Sequence, residues 1–291
     1  MEAARLHGAR GFFKRGFERR MKGEAGSTGD QVGAGLMRIA DALERLAPAA
    51  VDEAAPDSGP TLSWDGRHLR RAVPTPPLPV RLFLGVDMQR DALRGALAAL
   101  KAGRPAHDIL LWGARGMGKS ALVRSLSAEA GLTLVEAPAT LFETLPALFD
   151  RLAPAPGPFL LFVDDLAFAP GDPAVRILRS LLDGGVRARP PQVRLVVTSN
   201  HRHLVARPAD EPDARHARDR ADDALALVDR FGLVLGFHEA SQETYLAMCA
   251  AYLAEAGRPL DAAEALAFAL ARGGRSGRTA WHYRVEVLGR G

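Results

Sequence analysis

Gly113-Ala114-Arg115-Gly116-Met117-Gly118-Lys119-Ser120 fits G-x-x-x-x-G-K-[ST], the phosphate-binding loop. The apolar run Ile109-Leu110-Leu111-Trp112 precedes it, and Ala121-Leu122-Val123-Arg124-Ser125-Leu126 continues it with a helical pattern. That strand–loop–helix context gives the match a mechanism. The glycines let backbone N–H groups close on phosphate oxygens, and the helix N-terminus adds partial positive charge. Lys119 is expected to reach the β- and γ-phosphates and Ser120 to ligate Mg²⁺. Nucleotide contacts are expected from Gly113, Ala114, Arg115, Gly116, Met117, Gly118, Lys119, Ser120 and Ala121.

Two further strands end in polar residues. Phe159-Leu160-Leu161-Phe162-Val163 delivers Asp164-Asp165 at its C-terminal end, where open α/β sheets bind ligands. Asp164 is expected to hold Mg²⁺, directly or through water, and Asp165 to orient or deprotonate an attacking water. Val193-Arg194-Leu195-Val196-Val197 ends in Thr198-Ser199-Asn200. Where a P-loop protein inserts a strand between the loop strand and the acidic strand, a polar residue there touches the γ-phosphate, and Asn200 fits. Taken alone, Asp164-Asp165 could equally be a solvated turn and Asn200 a helix cap. Their order and spacing after a phosphate loop favour the site.

The 291 residues suffice for one α/β domain and smaller elements. Hydrophobic content of 47% and charged content of 25% fit a soluble globular chain, and no apolar run approaches the ~20 residues of a membrane span. One cysteine, Cys249, allows no internal disulfide, so a cytoplasmic setting is expected. The net charge of +4 is weak evidence for nucleic acid. Abundant Ala, Arg, Gly and Pro point to a GC-rich coding bias, in which arginine is the default cation. A lysine at position 119 stands out against that background.

Residues 1–80 read as a basic tail, a short helix over 36–46 and a proline-rich connector from Pro48 to Pro79, with Trp64 in a short strand-like piece. The tail carries Arg5, Arg10, Lys14, Arg15, Arg19, Arg20 and Lys22 but lacks the apolar core of a secretion signal. A core over 81–239 begins with a helix from Asp87 to Lys101. It then alternates strands at 109–112, 132–136, 159–163, 193–198 and 233–237 with helical patterns, which predicts a five-stranded parallel sheet flanked by helices. The charged stretch from Arg202 to Asp223 reads as an exposed loop. Residues 240–291 read as a helical lid of three helices, with Ser241, Asp261 and Ser276 as N-caps and Gly273-Gly274 as a stop.

This order of parts resembles the AAA+ P-loop ATPases. From about Leu82 to Leu288 the chain is similar to one uncharacterised bacterial family of AAA+ ATP-binding proteins, catalogued as a domain of unknown function. The resemblance is carried by Leu110 to Ser120, Phe162-Val163-Asp164-Asp165-Leu166, Thr198-Ser199-Asn200-His201-Arg202-His203-Leu204, Asp229-Arg230-Phe231-Gly232-Leu233 and Gly273 to Ala280. The helix at 36–46 also resembles the family. It implies ATP and Mg²⁺ as cofactors. Arg230 resembles an arginine finger serving a neighbouring subunit. Arg278 resembles the sensor-2 arginine, with Arg275 as the alternative. Leu84, Gly85 and Val86 resemble the segment beside adenine. Most AAA+ proteins carry Asp-Glu in the acidic strand; this chain and the similar family carry Asp-Asp, which shortens the second acid by roughly 1.5 Å and makes slow hydrolysis an expectation.

Three functions remain open. The first is an ATP hydrolase that drives conformational change in a homo-oligomer acting on an unknown macromolecular partner. The second is a nucleotide-dependent scaffold or switch with little turnover. The third is a nucleic-acid-associated accessory ATPase, weakened because no helix-turn-helix module follows the lid. A GTPase is disfavoured, since the guanine-reading Asn-Lys-x-Asp motif needs an asparagine besides Asn200, the single one present. No Leu-Ser-Gly-Gly signature points to a transporter, and no second core points to a two-lobed helicase.

Overall fold

The computed structural model describes residues 53–73, 76–169, 172–184, 189–201, 204 and 227–290, together with Gly35, Leu36 and Arg38, which are helical. The basic tail, most of the expected helix at 36–46 and nearly all of the charged stretch 202–223 lie outside the described residues. Residues 53–291 form one unit and residues 1–52 another; the account below concerns the former.

Seven strands make one sheet: β1 (Thr61–Trp64), β2 (Leu69–Arg71), β3 (Ile109–Gly113), β4 (Thr133–Pro138), β5 (Phe159–Asp164), β6 (Val193–Ser199) and β7 (Leu233–Phe237). Their order is β2-β1-β4-β5-β6-β3-β7. The five expected strands are parallel to one another, and β6 lies between the loop strand β3 and the acidic strand β5. Among the described residues, the α-helices include α1 (Asp87–Lys101), α2 (Lys119–Glu129), α3 (Leu145–Leu152), α4 (Ala174–Leu182) and the lid helices α5 (Gln242–Ala254), α6 (Ala262–Ala271) and α7 (Gly277–Gly289).

The strands read as unbroken apolar runs because both faces of the sheet are covered. Side chains alternate between two cores. Leu160 and Phe162 of β5 join Ile109, Leu111, Leu122, Leu126 and the lid on one face. Phe159, Leu161 and Val163 join Leu148, Phe149 and Leu178 on the other. Each lid helix starts as the sequence predicts: Ser241, Asp261 and Ser276 accept from the backbone N–H of Thr244, Glu264 and Thr279 at 3.0, 2.9 and 3.1 Å. Among the described residues, no helix is long and apolar enough to cross a membrane.

The strand-like piece at Trp64 is strand β1, and the proline-rich connector is more regular than its composition suggests. Residues 61–71 form a hairpin that widens the five-stranded core: β1 pairs antiparallel with β2 and parallel with β4. Asp65 makes the turn, its carboxylate accepting from the N–H groups of Arg67 and His68 at 3.0 and 2.8 Å, while Gly66 supplies a φ of 97°. Leu62, Trp64 and Leu69 are buried, and the Trp64 indole donates to Thr144 Oγ1 at 2.8 Å. The hairpin is therefore part of the core. Trp64→Ala should destabilise the protein by about 3–5 kcal/mol in urea unfolding, as for other buried aromatic truncations; a loss under 1 kcal/mol would mean the hairpin is a loose appendage.

Candidate functional site

The carboxyl ends of β3, β5 and β6 open into a cleft of about 1330 Å³. Its floor is the phosphate loop. Gly113 has φ 120°, and a Cβ there would lie 2.0 Å from the Phe237 carbonyl oxygen, so only glycine lets the loop strand pass β7 so closely. Gly118 has φ 87° and precedes α2, whose first turn has no side-chain cap. Those N–H groups are left for an anion. Arg115, Gly116, Met117, Gly118, Lys119, Ser120 and Ala121 line the cleft. Gly113 and Ala114 lie beneath, their carbonyls accepting from Lys119 Nζ at 2.7 and 3.0 Å.

Asp164 and Asp165 differ in their partners. Asp164 Oδ1 accepts from Ser120 Oγ at 2.5 Å and from Thr198 Oγ1. Asp165 Oδ1 accepts from Asn200 Nδ2, and Asn200 Oδ1 accepts from Lys119 Nζ at 3.3 Å. The Asp165 N–H donates to Thr198 Oγ1 at 2.9 Å. Expected separately, Lys119, Ser120, Asp164, Asp165 and Asn200 thus form one hydrogen-bonded group. Burial pushes the Lys119 ammonium below its ordinary value; Asp165 and Asp164 oppose this, and the Arg278 and Arg115 guanidinium groups add to it. Lys119, Arg115 and Arg278 thus share the cleft with Asp164 and Asp165.

The flanking expectations divide. Arg278 lines the cleft, and its N–H donates to the Gly116 carbonyl at 3.0 Å. Arg275 is exposed and does not line it. Leu84 and Val86 line the cleft. Gly85 does not; a Cβ there would lie 2.5 Å from Thr244 Cγ2 on α5, so it admits the lid. Arg230 is outside the cleft, its Nε donating to both Asp183 oxygens at 2.7 and 2.9 Å.

Sequence reading gave no role to several residues gathered here. Thr198 is one; its hydroxyl touches both aspartates, and its place two residues before Asn200 on the same strand end was the available signal. Phe83, Met248, Tyr252 and Trp281 give the cleft an apolar part of its lining. Trp281 lies three residues after Arg278 on α7 and shares its face. Its ring meets Tyr252 edge-on at 5.7 Å, and Arg284 lies over it at 4.8 Å.

Asp165 has φ 53°, the single positive value outside glycine among the described residues. Asp and Asn tolerate this left-handed conformation better than other side chains because they hydrogen-bond locally. In chemical denaturation without nucleotide, Asp165→Asn should keep wild-type stability within about 0.5 kcal/mol, whereas Asp165→Glu should lose about 1 kcal/mol. Equal stabilities would remove the backbone from the explanation of why aspartate stands here.

No match is found among curated proteins. Among solved structures, a point mutant of RuvB from Thermotoga maritima is 18% identical with a TM-score of 0.51, over 70% of this chain and 62% of that one. The Orc1 protein of Aeropyrum pernix in complex with DNA is 18% identical with a TM-score of 0.50, over 74% of this chain and 62% of that one. The chain thus spans less than two thirds of either, and at this identity the likeness concerns the fold. A family model matches from residue 60, upstream of Leu82 and including the hairpin but not the helix at 36–46. The chain belongs to the family described as "Protein of unknown function (DUF815)", matched over residues 60–291.

Proposed function

We propose that the protein binds ATP with Mg²⁺ in this cleft, hydrolyses it slowly, and uses the nucleotide state to move its lid within a homo-oligomer acting on a macromolecular partner. The observation that carries this reading is the hydrogen-bonded group Ser120–Asp164–Thr198 and Lys119–Asn200–Asp165 at the mouth of the phosphate loop. Lys119 would leave the loop carbonyls for the β- and γ-phosphates. Phe83, Leu84, Val86, Met248, Tyr252 and Trp281 would hold adenine.

The residues fit Mg²⁺. Ser120 Oγ and Asp164 Oδ1 are hard oxygen donors already side by side. Among the described residues no cluster of three or more His, Cys, Asp or Glu is placed to hold a metal, so the protein alone offers few ligands. That suits an ion that keeps waters and arrives with phosphates. Held there, the ion would supply charge neutralisation for the bound phosphates. Asp165 would accept the proton of the attacking water, Asn200 would hold the γ-phosphate, and Arg278 would join lid to phosphate.

The switch reading draws on one observation: Asp165 Oδ1 already accepts from Asn200 Nδ2, so one of its two oxygens is engaged by a side chain of the site itself. A nucleic-acid partner draws support from the net charge of +4 alone.

Lys119→Ala removes a charge-assisted contact and should weaken ATP binding by about 1.5–3 kcal/mol, read by calorimetry. Unchanged affinity, or GTP binding as tightly as ATP, would sink the adenine-nucleotide reading.

Arg230 tests the oligomer. In trans it would have to leave Asp183 for a neighbour's γ-phosphate, a contact worth about 10³–10⁵ in rate in other nucleotide hydrolases. Specific activity should rise with protein concentration. Arg230→Ala and Asp165→Asn subunits, each inactive alone, should recover activity when mixed, whereas Arg278→Ala should gain nothing from a finger-donating partner. Turnover by a monomer, established by light scattering with ATP present, would return Arg230 to a surface ion pair and move the switch reading ahead.

A further inference from the structure

Arg124 and Glu136 line the same cleft beside the acidic strand, and neither has a part in the roles above. Arg124 lies one turn beyond Ser120 on α2 and shares its face. Glu136 lies on β4 opposite Phe162 of β5, two positions before the Pro138–Asp164 pair. Leu134 and Phe162 on this face belong to the core beneath α2, so Glu136 is a charged side chain set among apolar ones. Its partner is Arg124: Nε donates to Oε1 at 2.7 Å and Nη2 to Oε2 at 3.2 Å. The same Nη2 is 3.6 Å from Asp164 Oδ2, and the guanidinium lies over the Phe162 ring at 5.1 Å.

One nitrogen is therefore shared between two carboxylates, and one of those carboxylates is the metal ligand in the reading above, on which this inference rests. We propose that Glu136 sets the affinity of the site for its divalent cation by holding Arg124 off Asp164. A guanidinium and a metal ion compete for the charge of the same carboxylate. Asp164 turns Oδ1 to the Ser120 and Thr198 hydroxyls and Oδ2 to Arg124. The Glu136 carboxylate satisfies the guanidinium and leaves the Asp164 charge for the cation. In Glu136→Gln the charge is gone, and an amide N–H₂ group can face Nη2 where Oε2 accepted before. Stacking on Phe162 keeps the guanidinium in place, so Nη2 closes on Asp164.

The test is Mn²⁺ binding to the full chain with ADP present, counted as free Mn²⁺ by electron paramagnetic resonance, beside calorimetric ADP affinity in EDTA. Glu136→Gln should raise the Mn²⁺ Kd on the order of tenfold. Its ADP affinity in EDTA should stay within about twofold of wild type. Arg124→Gln should bind Mn²⁺ at least as tightly as wild type. The double variant should return to within about threefold of wild type, because the competing cation is gone. Wild-type Mn²⁺ affinity in Glu136→Gln overturns the proposal. So does a double variant as weak as Glu136→Gln, which would mean Glu136 acts without Arg124. A wild-type protein that binds no ADP would overturn the nucleotide reading itself, and this one with it; ADP binding with an unmoved Mn²⁺ Kd overturns the role of the pair alone.

Discussion

Asp164 Oδ1 accepts hydrogen bonds from two hydroxyls on two different elements, Ser120 at the start of α2 and Thr198 at the end of β6. Those elements meet only if β6 lies between β3 and β5, and the parallel register places it there. The approach of the loop to Asp164 also needs Gly113, where a Cβ would meet the Phe237 carbonyl on β7. Strand order, a glycine without room for a side chain and one shared oxygen are therefore a single constraint. Shifting β5 by one residue would turn Asp164 to the opposite face and Asp165 into its place. The polar end of the site is thus as strongly specified as the core beneath it.

The lid follows from the same packing. Tyr245, Met248, Cys249, Tyr252, Ala280 and Tyr283 belong to one buried cluster with Leu82, Phe83, Val86 and the α2 face of the sheet. Burial also pushes the Cys249 thiol up, which leaves it a packing residue rather than a reactive one. Where lid and loop meet the contact is polar and close, with Gly116 accepting from the Arg278 N–H and Ser276 against the Gly116 Cα. The phosphate loop and the start of α7, the helix that also carries Trp281, are thereby held together.

Local chemistry was legible in the sequence, and long-range pairing was not. The caps at Ser241, Asp261 and Ser276 act within three residues, and the five core strands announce themselves by unbroken apolar runs. The hairpin was hidden because β1 has four residues and β2 three, inside a proline-rich stretch, and because β1 pairs with β4 across some seventy intervening residues. The strand-like piece at Trp64 and the turn residues Asp65-Gly66 were its local signals. At the site, residue types with fixed chemistry were readable: the loop glycines, Lys119, Ser120, the two aspartates, Asn200. Thr198, Glu136 and Arg124 were not, because their meaning lies in register. A threonine in a strand and a Glu–Arg pair twelve residues apart look like ordinary surface until β4, β5 and β6 are laid side by side.

The Asp-Asp pair can then be understood by what surrounds it. A carboxylate one methylene shorter than glutamate cannot reach as far from an ordinary strand end. Here the backbone at Asp165 turns left-handed instead, with its N–H held by Thr198 and its carboxylate by Asn200. The backbone supplies direction where the side chain lacks length. It does so at the cost of tying the acid to the same asparagine that links it to Lys119. A phosphate that draws Lys119 and Asn200 toward itself would loosen that tie. One side-chain amide therefore joins Asp165 to Lys119, so the placement of the acid depends on the phosphate loop as well as on its own strand.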